Sequence, residues 1–364
     1  MSNFPLPYRL SWLTQFLRPS LAGETTGFAA PAARLMSQTP KKTVRLVFLG
    51  DISAVANRYS PQIDPGLASI IASADLVIGN CESPVVRRGR TPVGTRLGTH
   101  HAMDAGFLLG LLAAMEIDSD RLVLSLANNH VLDQGLDGYA ETRDTLRSLG
   151  IRTIGTTDHT PVTTLAIDGL AVGLVAFTDW RNGAARDFAK RILMTGRLAS
   201  EDWRSVCITH ADLICAVPHW DWEFRHFPQV GTRALAHRLA ARGIGLIAGH
   251  HAHVVQPVER IGDAIVAYGL GDFLGTAFFR QPWPGRIGAM LVADVSADRL
   301  TKGRIAAYEM VPFVRLRDRG RERLVGIGKL NGAFGEKVSE RLARVLGTKP
   351  IRATAGSIAT GNRK

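Results

Sequence analysis

Short apolar runs closed by glycine or a polar cluster recur along the central chain. Val44–Leu49 ends in Gly50-Asp51, and Leu76–Ile78, Leu122–Leu126, Leu170–Phe177, Leu213–Val217 and Gly245–Ala248 repeat that form. Each reads as a buried strand with a polar loop at its carboxyl end. Between them, Pro65–Ala72, Ala105–Met115, Leu136–Leu149 and Thr232–Arg242 have helical patterning, the last stopping at Gly243, an ordinary terminator. Alternating strands and helices predict a layered α/β domain. After Val254 the pattern turns strand-rich, with Ile265–Tyr268, Ile287–Val295 and Ile305–Pro312, then one helix at Lys337–Leu346. No internal repeat is evident. Residues 1–43 read as a poorly ordered extension with an amphipathic patch around Trp12 and Phe16. Residues 44–317 read as the domain, and 318–364 as a basic segment and tail.

Composition removes several classes. A 364-residue chain that is 46% hydrophobic and 21% charged is globular in proportion. Cys81, Cys207 and Cys215 make neither a disulfide framework nor a CxxC zinc site. Apolar stretches such as Phe107–Met115 fall far short of the roughly 20 residues that cross a bilayer. Leu10–Leu17 is interrupted by Ser, Thr and Gln, so no signal peptide is read there, and a start at Met36 is an alternative to Met1. A cytoplasmic or membrane-peripheral location is the expectation.

The formal charge of +12 would point to a nucleic acid or other polyanion. Its distribution changes that reading. Residues 1–43 carry +4; residues 299–364, with sixteen basic and five acidic groups, carry +11; the middle is −3. A slightly acidic middle suits a cation site better than a phosphate-tracking groove, so nucleic acid is not the expected partner.

The chemistry-bearing residues follow the strands: Gly50-Asp51, Asn80-Cys81-Glu82-Ser83-Pro84, Asn128-Asn129-His130 with Asp133, His219-Trp220, and His250-His251-Ala252-His253. Ligands in open α/β sheets bind beyond the carboxyl ends of strands. Alone, a Gly-Asp is usually a turn, and Asn-Asn-His can simply lead into a helix. His251-x-His253 is more specific, because alternate positions of extended backbone aim two imidazoles the same way. Carboxylate, amide and imidazole donors together suit manganese, zinc or ferrous iron. Two such ions would clamp both oxygens of a displacement, a hydrolase design.

In this order the motifs resemble the bacterial capsule-synthesis family of CapA type, associated with poly-γ-glutamate capsules and part of the calcineurin-like metallophosphoesterase superfamily. The likeness spans about residues 44–275 and includes Leu126–Gly135, His219-Trp220 with Glu223, His251–Pro257 with Glu259, and Tyr268–Phe273. It implies an α/β fold, a four-layer α/β/β/α sandwich. It also implies one or two divalent metal ions (Mn, Zn or Fe) held by Asp51, Glu82, Asn129, His219, His251 and His253, with Glu82 bridging. His130 would protonate a leaving group, with Asn129 and Asp133 beside it in the catalytic group, and His250 is not called for as a ligand. Three positions depart from the pattern. Ser53 stands where metallophosphoesterases carry a His, Asp221 replaces a Gly, and Asp272 replaces an Asn; either Asp could add a ligand or cap a turn.

The resulting expectation is a metal-dependent hydrolase of a phosphoester or γ-glutamyl amide in capsule-polymer biosynthesis. Its partners would be an anionic polymer and a polymer-synthesis membrane complex. The alternative is a non-catalytic accessory protein that binds an anionic polymer through its basic end. An amidohydrolase barrel also uses His-x-His, but on its first strand. The run Arg315–Arg323 is either a nucleic-acid strip or a charged strand edge, and no Gly-x-Ser-x-Gly elbow occurs.

Overall fold

The computed structural model describes residues 2–28, 33–55, 59–90, 93–94, 99–158, 160–200, 211–275, 281–318 and 320–351. Cys207 and the tail beyond residue 351 lie outside the described residues. The chain lays down six strands of one sheet: β1 (Ala33–Arg34), β2 (Thr43–Ser53), β3 (Gln62–Ile63), β4 (Leu76–Asn80), β5 (Leu122–Ser125) and β6 (Arg152–Ile154). It then builds a second sheet from β7 (Thr163–Ile167), β8 (Leu170–Thr178), β9 (Leu213–His219), β10 (Leu246–Ala248), β11 (Val258–Ile261) and β12 (Ala264–Ala267). It returns to the first with β13 (Asp272–Gly275), β14 (Ile287–Ser296), β15 (Ile305–Asp318) and β16 (Arg321–Gly326). Strand order in the first sheet is β3-β16-β15-β14-β2-β4-β5-β6, with β13 beside β2 and β1 beside β15. In the second it is β11-β12-β10-β9-β8-β7.

Side-chain alternation makes four layers of these sheets. Along β8, Leu170, Val172, Leu174 and Ala176 join the core shared with the first sheet. Val175 and Phe177 point to a second core, where Ala236 and Leu239 of a covering helix lie. Period-two alternation on a strand buried on both faces forces this division. Helices α1 (Leu6–Leu17), α2 (Pro65–Ala72), α3 (Ala105–Met115), α4 (Gly135–Ser148), α5 (Ala185–Ala189), α6 (Thr195–Ser200), α7 (Val230–Ala241) and α8 (Gly332–Leu346) complete the architecture. It is the α/β/β/α sandwich that the motif order implied; two open sheets exclude a barrel. Among the described residues, no helix is long and apolar enough to cross a membrane.

Local chemistry sets the boundaries. Asp64 and Asp104 cap α2 and α3 by accepting from Gly66 N and Phe107 N. Gly243 (φ 95°) follows α7 as the sequence led one to expect, and Gly347 (φ 67°) ends α8. Strand β2 runs on to Ser53 instead of stopping at Leu49, because β13 pairs with its end, Asp272 opposite Asp51. Only glycine permits that approach at residue 50, where a Cβ would fall 2.0 Å from the Gly271 carbonyl oxygen.

Two expectations about the ends change. Residues 6–17, placed in a poorly ordered extension, form α1, with Tyr8 buried and Leu6, Leu10, Leu13 and Leu17 exposed. The start of the basic C-terminal segment falls inside the β15–β16 hairpin, and α8 buries Val338, Leu342, Val345 and Leu346. Four such side chains are each worth about 1.5–3 kcal/mol, enough to hold the helix against the body. Arg341 of α8 donates to the Pro19 carbonyl (3.2 Å) and to His226 Nε2 (2.9 Å), while His226 Nδ1–H donates to the Val255 carbonyl (2.8 Å).

Burial pushes His226 down to about 3, against the positive charge of Arg341 as well. An imidazole kept neutral in the fold but titrating near 6.5 when unfolded adds stability at neutral pH. That contribution declines as pH falls below about 6.5 and is gone below about 3. Denaturant unfolding at pH 7, 5.5 and 4 should therefore show a shallower acid loss in His226→Gln than in the wild type. Identical slopes would refute this role.

Candidate metal centre

Strands β2, β4 and β5 run parallel in one sheet, and β8, β9 and β10 in the other. Their carboxyl ends meet at one rim. Asp51 and Ser53 lie in the last turn of β2, Asn80 closes β4 just before Glu82, and Asn128–His130 follow β5. His219 closes β9 and bridges to His250 after β10. The rim thus collects Asp51, Glu82, Asn129, His219, His251 and His253, all at 5% exposure or less.

Glu82 lies at the centre of the cluster. Its Oε2 accepts from the Ser53 hydroxyl, and its Oε1 lies 3.5 Å from His219 Nε2 and 3.7 Å from His253 Nε2. Asp51 accepts from the Asn80 amide (2.7 Å) and the His251 backbone N–H (2.9 Å). Asn129 Oδ1 lies 2.8 Å from His219 Nε2. Three buried atoms here, Glu82 Oε1, His250 Nδ1 and His251 Nδ1, have no hydrogen-bond partner among the described residues. Leaving a buried carboxylate oxygen unpaired costs several kcal/mol, so the arrangement calls for a positive charge. One ligand atom each from Glu82, His251 and His253 lies within 4.8 Å of the others, as does one each from Asp51, Glu82, His253 and Asp272.

Titration behaviour has the same cause. Burial pushes Glu82 up to about 8, with Asp51 adding to the push, and burial raises Asp51 also, with Asp272 adding to it. Burial and the neighbouring imidazoles hold His219 and His251 well below their ordinary value, hence neutral, the form that donates a lone pair to a metal. His253 is raised: burial opposes its charge, but Asp272 and Glu82 outweigh it. A divalent cation fits this donor set of carboxylate, amide and imidazole groups and would neutralise both acids.

The surroundings settle what each uncertain residue does. Asp272 has both oxygens engaged, Oδ1 with His253 Nδ1 (2.6 Å) and Oδ2 with Arg315 (2.8 Å), so it orients His253. Arg315 is 1% exposed and also donates to Gln281, Gly285 and Glu322. For this residue, both surface readings of the Arg315–Arg323 run are overturned. Asp221 accepts from Gln229 N, Thr232 and Gln256, and so caps α7 rather than serving as a ligand. Ser53 holds Glu82 Oε2 and leaves Oε1 turned to the cluster. His251 (φ 82°) and His253 (φ 52°) are in the left-handed region, not in the extended backbone expected of them; non-glycine residues held there commonly mark functional loops. His250 gives its Nε2 to the Leu49 carbonyl (2.9 Å).

Beside the cluster, His130 Nδ1 meets Asp133 Oδ2 at 2.6 Å, and its ring stacks on His101 at 3.7 Å. Burial opposes a charge on His130, yet Asp133 raises its pKa overall. The Asn182 amide lies 3.3 Å from His130 Nδ1, and its oxygen accepts from Asn129. His101, Asn182, Arg315 and the aromatic roof over His251 (Phe4, Tyr8 and Trp180) escaped the sequence reading. None sits in a recognisable motif, and only the amphipathic patch around Trp12 hinted at the roof.

The description "Bacterial capsule synthesis protein PGA_cap" is that of a family whose sequence profile matches residues 45–277. The chain is 25% identical over 254 residues to a PGA biosynthesis protein CapA of Bacillus subtilis (strain 168), covering 67% of this chain and 62% of the relative. It is 27% identical over 255 residues to a probable polyglutamine synthesis accessory protein of Mycobacterium tuberculosis (strain H37Rv), covering 63% and 64%. The chain thus spans somewhat under two thirds of these relatives' length. Among solved structures, it resembles a putative 5'-nucleotidase from Staphylococcus aureus at 17% identity and TM-score 0.46, covering 74% of this chain and 54% of that one. It also resembles a hypothetical protein from Thermus thermophilus at 18% identity and TM-score 0.44, covering 74% and 99%.

A cation that compensates Glu82 must stabilise the fold. Manganese or zinc at a hundred times its dissociation constant should add about 2.7 kcal/mol, seen as a Tm rise of several degrees. Glu82→Gln should remove that rise without lowering the Tm of the metal-free protein. A Glu82→Gln variant stabilised by the ion as strongly as the wild type would exclude this centre.

Proposed function

Because the chain belongs to the PGA_cap bacterial capsule synthesis family, we propose that it is a divalent-metal-dependent hydrolase acting in capsule or poly-γ-glutamate-type polymer biosynthesis. The observation that carries this reading is Glu82 Oε1, without a hydrogen-bond donor between the His219 and His253 imidazoles, next to a His130–Asp133 pair. Asp51, Glu82, Asn129, His219, His251 and His253 hold one or two ions of manganese, zinc or iron. When bound, the ion supplies Lewis-acid polarisation of a phosphoryl or carbonyl oxygen and activates water at neutral pH.

The protein's own groups do the rest. Asp133 fixes the His130 ring through Nδ1 and favours its protonated form, and the imidazole keeps 12% side-chain exposure to solvent. It then donates a proton to the leaving oxygen of a phosphoester, or to the leaving nitrogen of a γ-glutamyl amide. Asn182 accepts from Asn129 and points its amide N–H to Asp133 Oδ1 (3.5 Å), which ties Asn129 to the carboxylate that fixes His130. The substrate is a phosphoester or a γ-glutamyl amide.

An accessory, non-catalytic role is the second reading, favoured by one observation. Ser53, where metallophosphoesterases carry a ligand His, spends its hydroxyl on Glu82. This reading predicts salt-sensitive binding of an anionic polymer that does not depend on His251 or His253.

Metal-loaded protein should hydrolyse an aryl phosphate or a γ-glutamyl peptide. His130→Ala should lower kcat by about 10²–10⁴-fold while leaving metal affinity intact by calorimetry. Hydrolysis of neither substrate class by metal-replete protein, with polymer binding retained, would select the accessory role.

A further inference from the structure

The site's two closely spaced histidines are each steadied from outside the family-matched region, residues 45–277. His253 is held through Asp272 by Arg315 of β15. His251 is held by helix α1. The Tyr8 hydroxyl lies 3.3 Å from His251 Nε2, and Glu223 Oε1 lies 3.8 Å from the same nitrogen. The second oxygen of Glu223 accepts from Trp12 Nε1, one helical turn along. The helix itself is tied down. Arg225 donates to Ser11 Oγ (2.9 Å), and the backbone of Ser20 exchanges hydrogen bonds with Phe224 (2.9 Å) and His226 (3.0 Å).

From this geometry we infer that Tyr8 is a positioning residue for the metal centre: it holds His251 as the Nε2–H tautomer and leaves the Nδ1 lone pair for the cation. A hydroxyl has one proton to give and lone pairs to receive with. His251 Nε2 faces the Tyr8 oxygen and a Glu223 carboxylate oxygen, which only accepts, so the proton belongs on Nε2 and Tyr8 receives it. A neutral imidazole carries one proton, so Nδ1 is then a bare acceptor. This nitrogen is buried and has no hydrogen-bond partner among the described residues. Metal-ligating histidines are commonly oriented in this way through their other ring nitrogen. The orienting group arrives on α1, which precedes the family-matched region, so this helix belongs to the site.

The inference rests on the metal-site reading for its purpose, but not for its first test. Nitrogen-15 NMR of the full, metal-free chain, with His251 assigned by its loss in His251→Gln, should report the Nε2–H tautomer. In Tyr8→Phe, which keeps the ring that stacks on Phe4 and Trp180, the tautomer should become mixed. Glu223→Gln, a second route to the same relay, should do so as well should Tyr8→Phe not fold. Calorimetric titration with manganese or zinc should then show about 10–100-fold weaker binding in Tyr8→Phe. Leu10→Ala, on the exposed face of the same helix, should bind as the wild type does. An Nδ1–H tautomer in the wild type, or a Tyr8→Phe variant unchanged in both tautomer and affinity, would overturn the inference. A tautomer that responds to Tyr8→Phe in a protein that binds no metal would support the role of Tyr8 and remove the metal reading alone.

Discussion

A carboxylate oxygen buried without a donor dominates this protein. Glu82 Oε1 sits where two sheets meet, out of reach of water, with imidazole nitrogens 3.5 and 3.7 Å away. Such an atom persists only where a cation compensates it or where the surrounding fold is stable enough to carry the cost. Nearly every unusual feature nearby serves one of those ends. Ser53 ties down the other oxygen, the left-handed backbone at residues 251 and 253 turns imidazoles inward, and Gly50 lets β13 bring Asp272 beside Asp51.

Charge is handled in nested shells. The inner acids Asp51 and Glu82 face histidines, and Asp272 stands behind His253 with Arg315 behind it in turn. The two terminal nitrogens of Arg315 then donate to Glu322, Gln281 and the Gly285 carbonyl. An arginine this deep is stable only because each oxygen it meets is fixed by a neighbouring strand or loop. Among the described residues Arg315 is the one buried Lys or Arg, beside nine buried carboxylates, so burial hides more negative than positive groups and the basic excess of the sequence stays at the surface.

The chain's ends enclose the centre. Arg341 of α8 meets the N-terminal segment and His226, and α1 roofs His251 with Phe4 and Tyr8. Ends that dock in this way couple the site to parts of the chain far from it in sequence. The N-terminal extension and the basic C-terminal segment, set apart by composition, are continuous with the machinery in three dimensions.

Strand and helix positions in the middle of the chain were legible because period-two and helical patterning, glycine stops and Asp caps are local signals. Six candidate ligands were legible because they follow strands, and parallel strands deliver their carboxyl ends to one rim. The roles of Asp272, Asp221 and Ser53 were not legible, since a carboxylate or hydroxyl declares itself only through what faces it. Nor could the sequence distinguish Arg315 from its exposed neighbours, because burial is a property of packing and not of residue type. Sequence determined which groups would gather at the rim. Tertiary structure decided which of their atoms were left bare, because the partners that spend or spare an atom are set by packing across the chain, 19 positions apart for His253 with Asp272 and 243 for His251 with Tyr8.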